Sequence, residues 1–253
     1  MSRVSAAFAK RKALIAYITA GDPSLPVTEK LVYDLEKAGA DIVELGIPFS
    51  DPLADGPVIQ ASHQRALKKN VSLADVFKLV GRLRKKTDIP LCFMLAYNLI
   101  VQYGEEKFYA DCAQLGVDGI IVPDLPPEES SLVPRPSSLD QIFLVAPTST
   151  EERIRLAAKS SSGFVYLVSV AGITGARKGL SGDLGDLVNR VKKYTNLPVA
   201  IGFGISTPAQ AREAAKLADG VIVGSAIVEL IAKKKIKAVV SFVAALRKAL
   251  DVV

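Results

Sequence analysis

The chain has no tryptophan, one histidine and two cysteines in 253 residues. With no tryptophan and only 6% aromatics, its core has to be built from Ala, Val, Ile and Leu. Cys92 and Cys112 form no Cys-x-x-Cys pair, so they read as buried thiols of a reducing compartment, not as disulfides or a zinc site. A single histidine also argues against a transition-metal centre, which ordinarily takes several His or Cys ligands. His63 falls in a helical stretch and reads as a surface or partly buried helical residue, not a catalytic one. No apolar run approaches the roughly 18 residues needed to span a bilayer. Basic residues precede the apolar run 13–20, as in a signal peptide. That run is short, however, contains Tyr17 and Thr19, and stops at the turn Gly21-Asp22-Pro23, so it reads as a strand. The expectation is a soluble, cytoplasmic protein with no membrane segment. Net charge is a modest +6. The densest basic cluster, Lys233 to Lys235 with Lys237, has no interleaved aromatics and reads as a solvated helix end rather than a nucleic-acid surface.

What is present is a repeated pattern. Eight β-like runs, at 13–19, 41–46, 90–95, 118–123, 141–146, 163–169, 197–202 and 219–224, alternate with helical segments. Most are nearly continuous Val, Ile and Leu, as in parallel strands covered on both faces. Ser72-x-x-Asp75 and Thr207-Pro208 mark helix starts. A helix end, a small residue, an Asp and then a strand recur at Asp41, Asp118 and Asp219. Eight such units in this length predict an α/β fold, a single-domain (β/α)8 TIM barrel over 1–253. An open doubly wound sheet is the competitor, but no Gly-x-Gly-x-x-Gly follows the first strand.

Two features carry chemistry. The second run leads into a proline-stiffened loop, and the two together hold three carboxylates, Glu44, Asp51 and Asp55. A charge inside a core strand is costly unless it is paired or used, and a rigid loop at a barrel strand's C-terminal end is where catalytic groups are mounted. The last three units are glycine-rich at the same end: Gly172, Gly175 and Gly179, then Gly202 and Gly204, then Gly224-Ser225 opening a short helix. Such loops let backbone N–H groups approach an anion, and strands seven and eight are the usual phosphate position. No strand run carries a Lys, which disfavours a Schiff-base mechanism. Carboxylate acid–base work on a phosphate-anchored molecule is what remains.

The stretches Tyr17 to Pro23, Glu44 to Pro57, Asp124-Leu125-Pro126, Tyr166 to Ser169, Gly172 to Gly175, Gly202 to Ser206 and Gly224 to Ala226 resemble the tryptophan synthase alpha subunit family, in order from about Lys12 to the C-terminal helix. The resemblance implies reversible retro-aldol cleavage of indole-3-glycerol phosphate to indole and glyceraldehyde 3-phosphate, with Glu44 as general acid and Asp55 on the indole N–H. It also implies Gly175, Gly204, Gly224 and Ser225 on the phosphate, and Tyr17, Met94, Tyr166 and Phe203 around the indole. Thr174 would hold Asp55 when its loop closes, and Asp51 is equally a loop brace. A beta subunit carrying pyridoxal phosphate would be the partner in an α2β2 complex, with no cofactor or metal in this chain. Two places depart from the pattern. Prolines within 126–138 predict a disrupted fourth outer helix, and the short lead before Ala13 predicts a trimmed first helix. Two rivals remain: another phosphate-binding barrel, such as a sugar-phosphate isomerase, and a catalytically weak regulatory subunit.

Overall fold

The computed structural model describes residues 1–51, 55–130, 136, 138–169, 180–202 and 204–253. The chain opens with α1 (Arg3–Lys10), β1 (Ala13–Thr19), α2 (Leu25–Lys37) and β2 (Ile42–Gly46). Then come α3 (Pro57–Leu67), α4 (Leu73–Leu83), β3 (Leu91–Met94), α5 (Tyr97–Tyr103), α6 (Glu105–Leu115) and β4 (Gly119–Ile121). The middle holds α7 (Pro127–Ser130), β5 (Asp140–Ile142), β6 (Leu144–Val145), α8 (Glu151–Ser160) and β7 (Val165–Val168). It ends with α9 (Leu180–Lys192), β8 (Val199–Gly202), α10 (Pro208–Leu217), β9 (Gly220–Val223), α11 (Ser225–Ala232) and α12 (Ile236–Leu250).

All strand pairs are parallel, in the order β5-β4-β3-β2-β1-β9-β8-β7-β6. The expected fifth run is divided at Phe143. Its first half pairs with β4 and its second with β7, so one run closes the ring as a (β/α)8 barrel. A side chain distant in sequence marks the division: Phe143 N–H donates to Ser161 Oγ at 3.2 Å instead of a strand, while its carbonyl accepts from Tyr166 N–H.

Strand alternation sorts the core into two layers. Leu14, Ala16, Ile18, Val43 and Leu45 face the helices in the larger cluster. Ile15, Ile42, Cys92, Ile121 and Ile222 fill the barrel interior. Glu44 shares the period-2 face of Ile42 and therefore points inward. Burying each such aliphatic side chain contributes roughly 1.5–3 kcal/mol, the reserve against which a buried carboxyl can be carried.

The Asp-then-strand repeat has a common geometry at the N-terminal rim. Asp41, Asp118 and Asp219 each accept a backbone N–H from the first or second residue of the neighbouring strand, Leu14, Leu91 and Val199, all at 2.8 Å. Each carboxylate also meets a cation: Arg247 at 2.8 Å, Arg84 at 2.5 Å and Lys192 at 2.5 Å respectively.

The first helix is short but present. Ser2 caps α1, Val4 is fully buried in the interior cluster, and Phe8 stacks on Phe164 at 5.4 Å. On the fourth unit α7 covers Pro127–Ser130; residues 131–135 and 137, on which the expected disruption falls, lie outside the described residues. The expected caps hold at Ser72 and Thr207, both complete capping boxes. Both cysteines are buried free thiols. Among the described residues no helix is long and apolar enough to cross a membrane.

Candidate active site

Glu44 and Tyr17 are register partners on β2 and β1, side by side inside the barrel. Tyr17 lies over Gly46 so closely that a Cβ there would stand 2.0 Å from its hydroxyl. Across the bore, Tyr166 lies over Gly202 in the same way, with 2.6 Å to a Cβ. Glycine at these strand ends is therefore a space requirement. The two rings, with Met94, Ile222 and Ile59, wall a cavity that reaches Glu44, Asp55, Gly204, Gly224 and Ser225. A second lobe shares Tyr17, Asp55 and Met94 and runs past Phe49, Asp51 and His63 to Asp124.

Glu44 is fully buried, and neither carboxyl oxygen has a hydrogen-bond partner among the described residues. Burial, reinforced by the charge of Asp55, raises its pKa from the ordinary 4.5 to about 8. It is thus a protonated acid at neutral pH. Burial also lifts Asp55 to about 6, which leaves it mostly ionised at pH 7. The two carboxyls take opposite protonation states, the condition that separates a proton donor from an electrostatic partner. Both phenols are pushed well above 10, chiefly by burial, and stay neutral.

The far side of the cavity is built for an anion. Gly224 precedes the first turn of α11, whose N-terminus carries no side-chain cap. Its free N–H groups and the positive end of the helix face the cavity rim beside Ser225 and Gly204. Gly204 takes φ +75°, a conformation in which L side chains are strained. Among the described residues no group of three His, Cys, Asp or Glu side chains could hold a metal ion.

The cavities thus bring together Glu44, Asp55, Tyr17, Met94, Tyr166, Gly204, Gly224 and Ser225 from the sequence expectation. Thr174, Gly175 and Phe203 lie outside the described residues. One expectation is corrected. His63 is not a surface residue but 5% exposed, with Nε2 at 3.2 Å from the Tyr17 hydroxyl and 3.8 Å from Asp55 Oδ2. Its helix buries Ile59, Ser62, His63 and Ala66 on one face. That spacing, readable from Pro57 onward, was the signal for an inward His63.

The sequence profile of the tryptophan synthase alpha chain family matches residues 4–251. The chain is 51% identical to the tryptophan synthase alpha chain of Dehalococcoides mccartyi, over 99% of this chain and all of that one. It is 50% identical to the alpha chain of a Thermoanaerobacter species, over 95% of this chain and 94% of the other. Its fold superposes on tryptophan synthase subunit alpha from Legionella pneumophila with a TM-score of 0.90 at 38% identity, over the full length of both. The match to tryptophan synthase from M. tuberculosis has a TM-score of 0.87 at 34% identity, over 99% of both chains. With the fold and nearly the whole length in agreement, the chain belongs to the tryptophan synthase alpha chain family.

Proposed function

We propose that this chain is a cytoplasmic, single-domain lyase that cleaves indole-3-glycerol phosphate to indole and glyceraldehyde 3-phosphate, using Glu44 and Asp55. The observation that carries the residue roles is the protonated, unpartnered Glu44 inside a cavity that also holds an ionised Asp55 and an uncapped helix start.

Glu44 gives its proton to indole C3. The positive charge that develops on the ring is held at N1–H by the Asp55 carboxylate. Glu44, now ionised, takes the proton of the C3′ hydroxyl as the C3–C3′ bond breaks. The bond's electron pair restores the aromatic indole, the hydroxyl carbon becomes the aldehyde, and Glu44 ends protonated as it began. The ring is its own electron sink, so the step needs neither lysine nor metal. Tyr17, Met94, Tyr166 and Phe203 enclose the indole. Gly204, Gly224 and Ser225, with Gly175, take the phosphate, and Thr174 holds Asp55. Asp51 stands beside the outer lobe as a loop brace.

The partner is a tryptophan synthase beta subunit in an α2β2 complex, which receives the indole. The test is to incubate the isolated chain with indole-3-glycerol phosphate and assay indole, with and without a beta subunit. Glu44→Gln should bind substrate and lose cleavage by about 10²-fold or more. Absence of indole from the parent in both cases, or near-parent turnover by the variant, would overturn the reading.

A further inference from the structure

His63 sits at the head of a hydrogen-bond chain whose direction is fixed from both ends. At one end its Nδ1 lies 3.1 Å from the Phe49 backbone N–H, which can only donate, so Nδ1 carries no proton. At the other end Ser62 Oγ lies 2.6 Å from the Ile59 carbonyl, which can only accept, so the Ser62 proton is spent there. Ser62 must then accept from Thr19 Oγ at 2.5 Å. Thr19 in turn accepts from the Tyr17 hydroxyl at 3.4 Å, and Tyr17 accepts from His63 Nε2 at 3.2 Å. Every proton in the series is committed. Both ends require the same ring, neutral with its proton on Nε2.

Burial agrees with this assignment, since it lowers the His63 pKa. Protonating Nδ1 would also set two N–H groups against each other at Phe49. Among the described residues, Asp55, Tyr17 and Asp51 share a cavity lobe with the ring, and Asp22, paired with Arg65 at 2.7 Å, also acts on it.

The ring also spans the acidic loop. Phe49 lies before the loop's carboxylates Asp51 and Asp55; Asp55 lies at its far end, with Oδ2 3.8 Å from the same Nε2 that serves Tyr17. Gln60, one turn earlier on α3, donates to the Asp55 carbonyl at 2.8 Å. Helix α3 therefore holds the Asp55 backbone through Gln60 and sets the His63 ring beside its carboxylate, outside hydrogen-bond distance.

We infer that His63 is a positioning residue of the cleavage reaction: through its Nε2–H it fixes the Tyr17 ring on the wall of the indole cavity that also carries Asp55. The inference rests on the proposed function and is separable from it. His63 touches neither the phosphate corner nor Glu44, so its effect falls on turnover.

Because it is the only histidine, 15N-histidine labelling of the full chain yields a single imidazole. At pH 7 the expected spectrum has a pyridine-type Nδ1 and a pyrrole-type Nε2. The reverse tautomer, or a doubly protonated ring, overturns the inference, and this measurement requires no substitution. Two variants then separate the nitrogens. His63→Asn keeps an acceptor for Phe49 and loses the donor at Nε2; His63→Gln keeps a donor near Nε2 and loses that acceptor. His63→Asn should lose about tenfold or more in kcat with KM within about threefold, while His63→Gln stays within about threefold of the parent. Parent-level kcat in His63→Asn, or equal losses in both variants, overturns it, the latter marking a purely structural role. A parent chain that yields no indole overturns this inference and the proposed function together; the other outcomes strike this inference alone.

Discussion

The hydroxyl of Tyr17 occupies the space in which a side chain at Gly46 would begin, 2.0 Å from that missing Cβ. The two residues are thus one unit: the ring that walls the cavity can lie inward only because the end of β2 is bare. Gly46→Ala should push Tyr17 out of the cavity and break its link to His63. Overpacking of this kind costs about 1–3 kcal/mol, and a displaced wall should lower kcat/KM by about 10²-fold. Urea melts with parallel indole assays check both; an active, equally stable variant would mean that Tyr17 has room to move.

The raised carboxyls set a pH window for activity. Asp55 must be ionised, which it becomes above about 6, and Glu44 must be protonated, which it remains below about 8. The profile of kcat/KM is expected to be a bell with limbs near these values. Asp55→Asn should flatten the acidic limb and, by removing a charge that helps raise the Glu44 pKa, move the alkaline limb to lower pH.

Glu44 also predicts a stability trend. Its folded pKa lies above the ordinary 4.5, so the native state binds the proton more tightly than the unfolded chain. Its contribution is intact below about 4.5 and is lost as pH rises towards 8, an upper bound of about 5 kcal/mol. Glu44→Gln removes this dependence. The melting temperature of the variant should gain on the parent between pH 5 and pH 8, and a constant difference would show that the carboxyl is not held protonated.

At the opposite rim, Asp118 serves Leu91 N–H and Arg84 together. Asp118→Ala leaves the largely buried Arg84 without its counter-ion and the Leu91 N–H without its acceptor, an expected loss of about 3 kcal/mol. The chemistry lies at the other end of the strands. Below its melting point the variant should therefore keep the parent kcat, and thermal denaturation beside a steady-state assay tests the separation.

How much of this was legible in the sequence depended on whether the cause was local. Glu44 stood out because a charge interrupts an apolar run, and Asp41, Asp118 and Asp219 marked strand starts because each sits just past a helix end. Ser72 announced its helix through Asp75 three residues on, and Thr207 through the proline that follows it. His63 was concealed by the polar Gln60, Gln64 and Arg65 around it, and its environment comes from Phe49 and Tyr17, distant in the chain. The break at Phe143 was equally hidden, since the competing acceptor belongs to Ser161. The lead before Ala13 was expected to hold a reduced first helix, and α1 has eight residues. That eight residues suffice follows from Val4 and Phe8 finding partners inside the barrel.

That plug has a consequence for traffic. With Val4 seated beneath Ile15 and Ile42 in a closed apolar stack, the bore of the barrel is stopped from below. Indole is neutral and small enough to leak through a loosely packed interior, yet here its way down is filled by side chains. The eight residues of α1, far from any reacting atom, thereby close the route through the bore beneath Glu44.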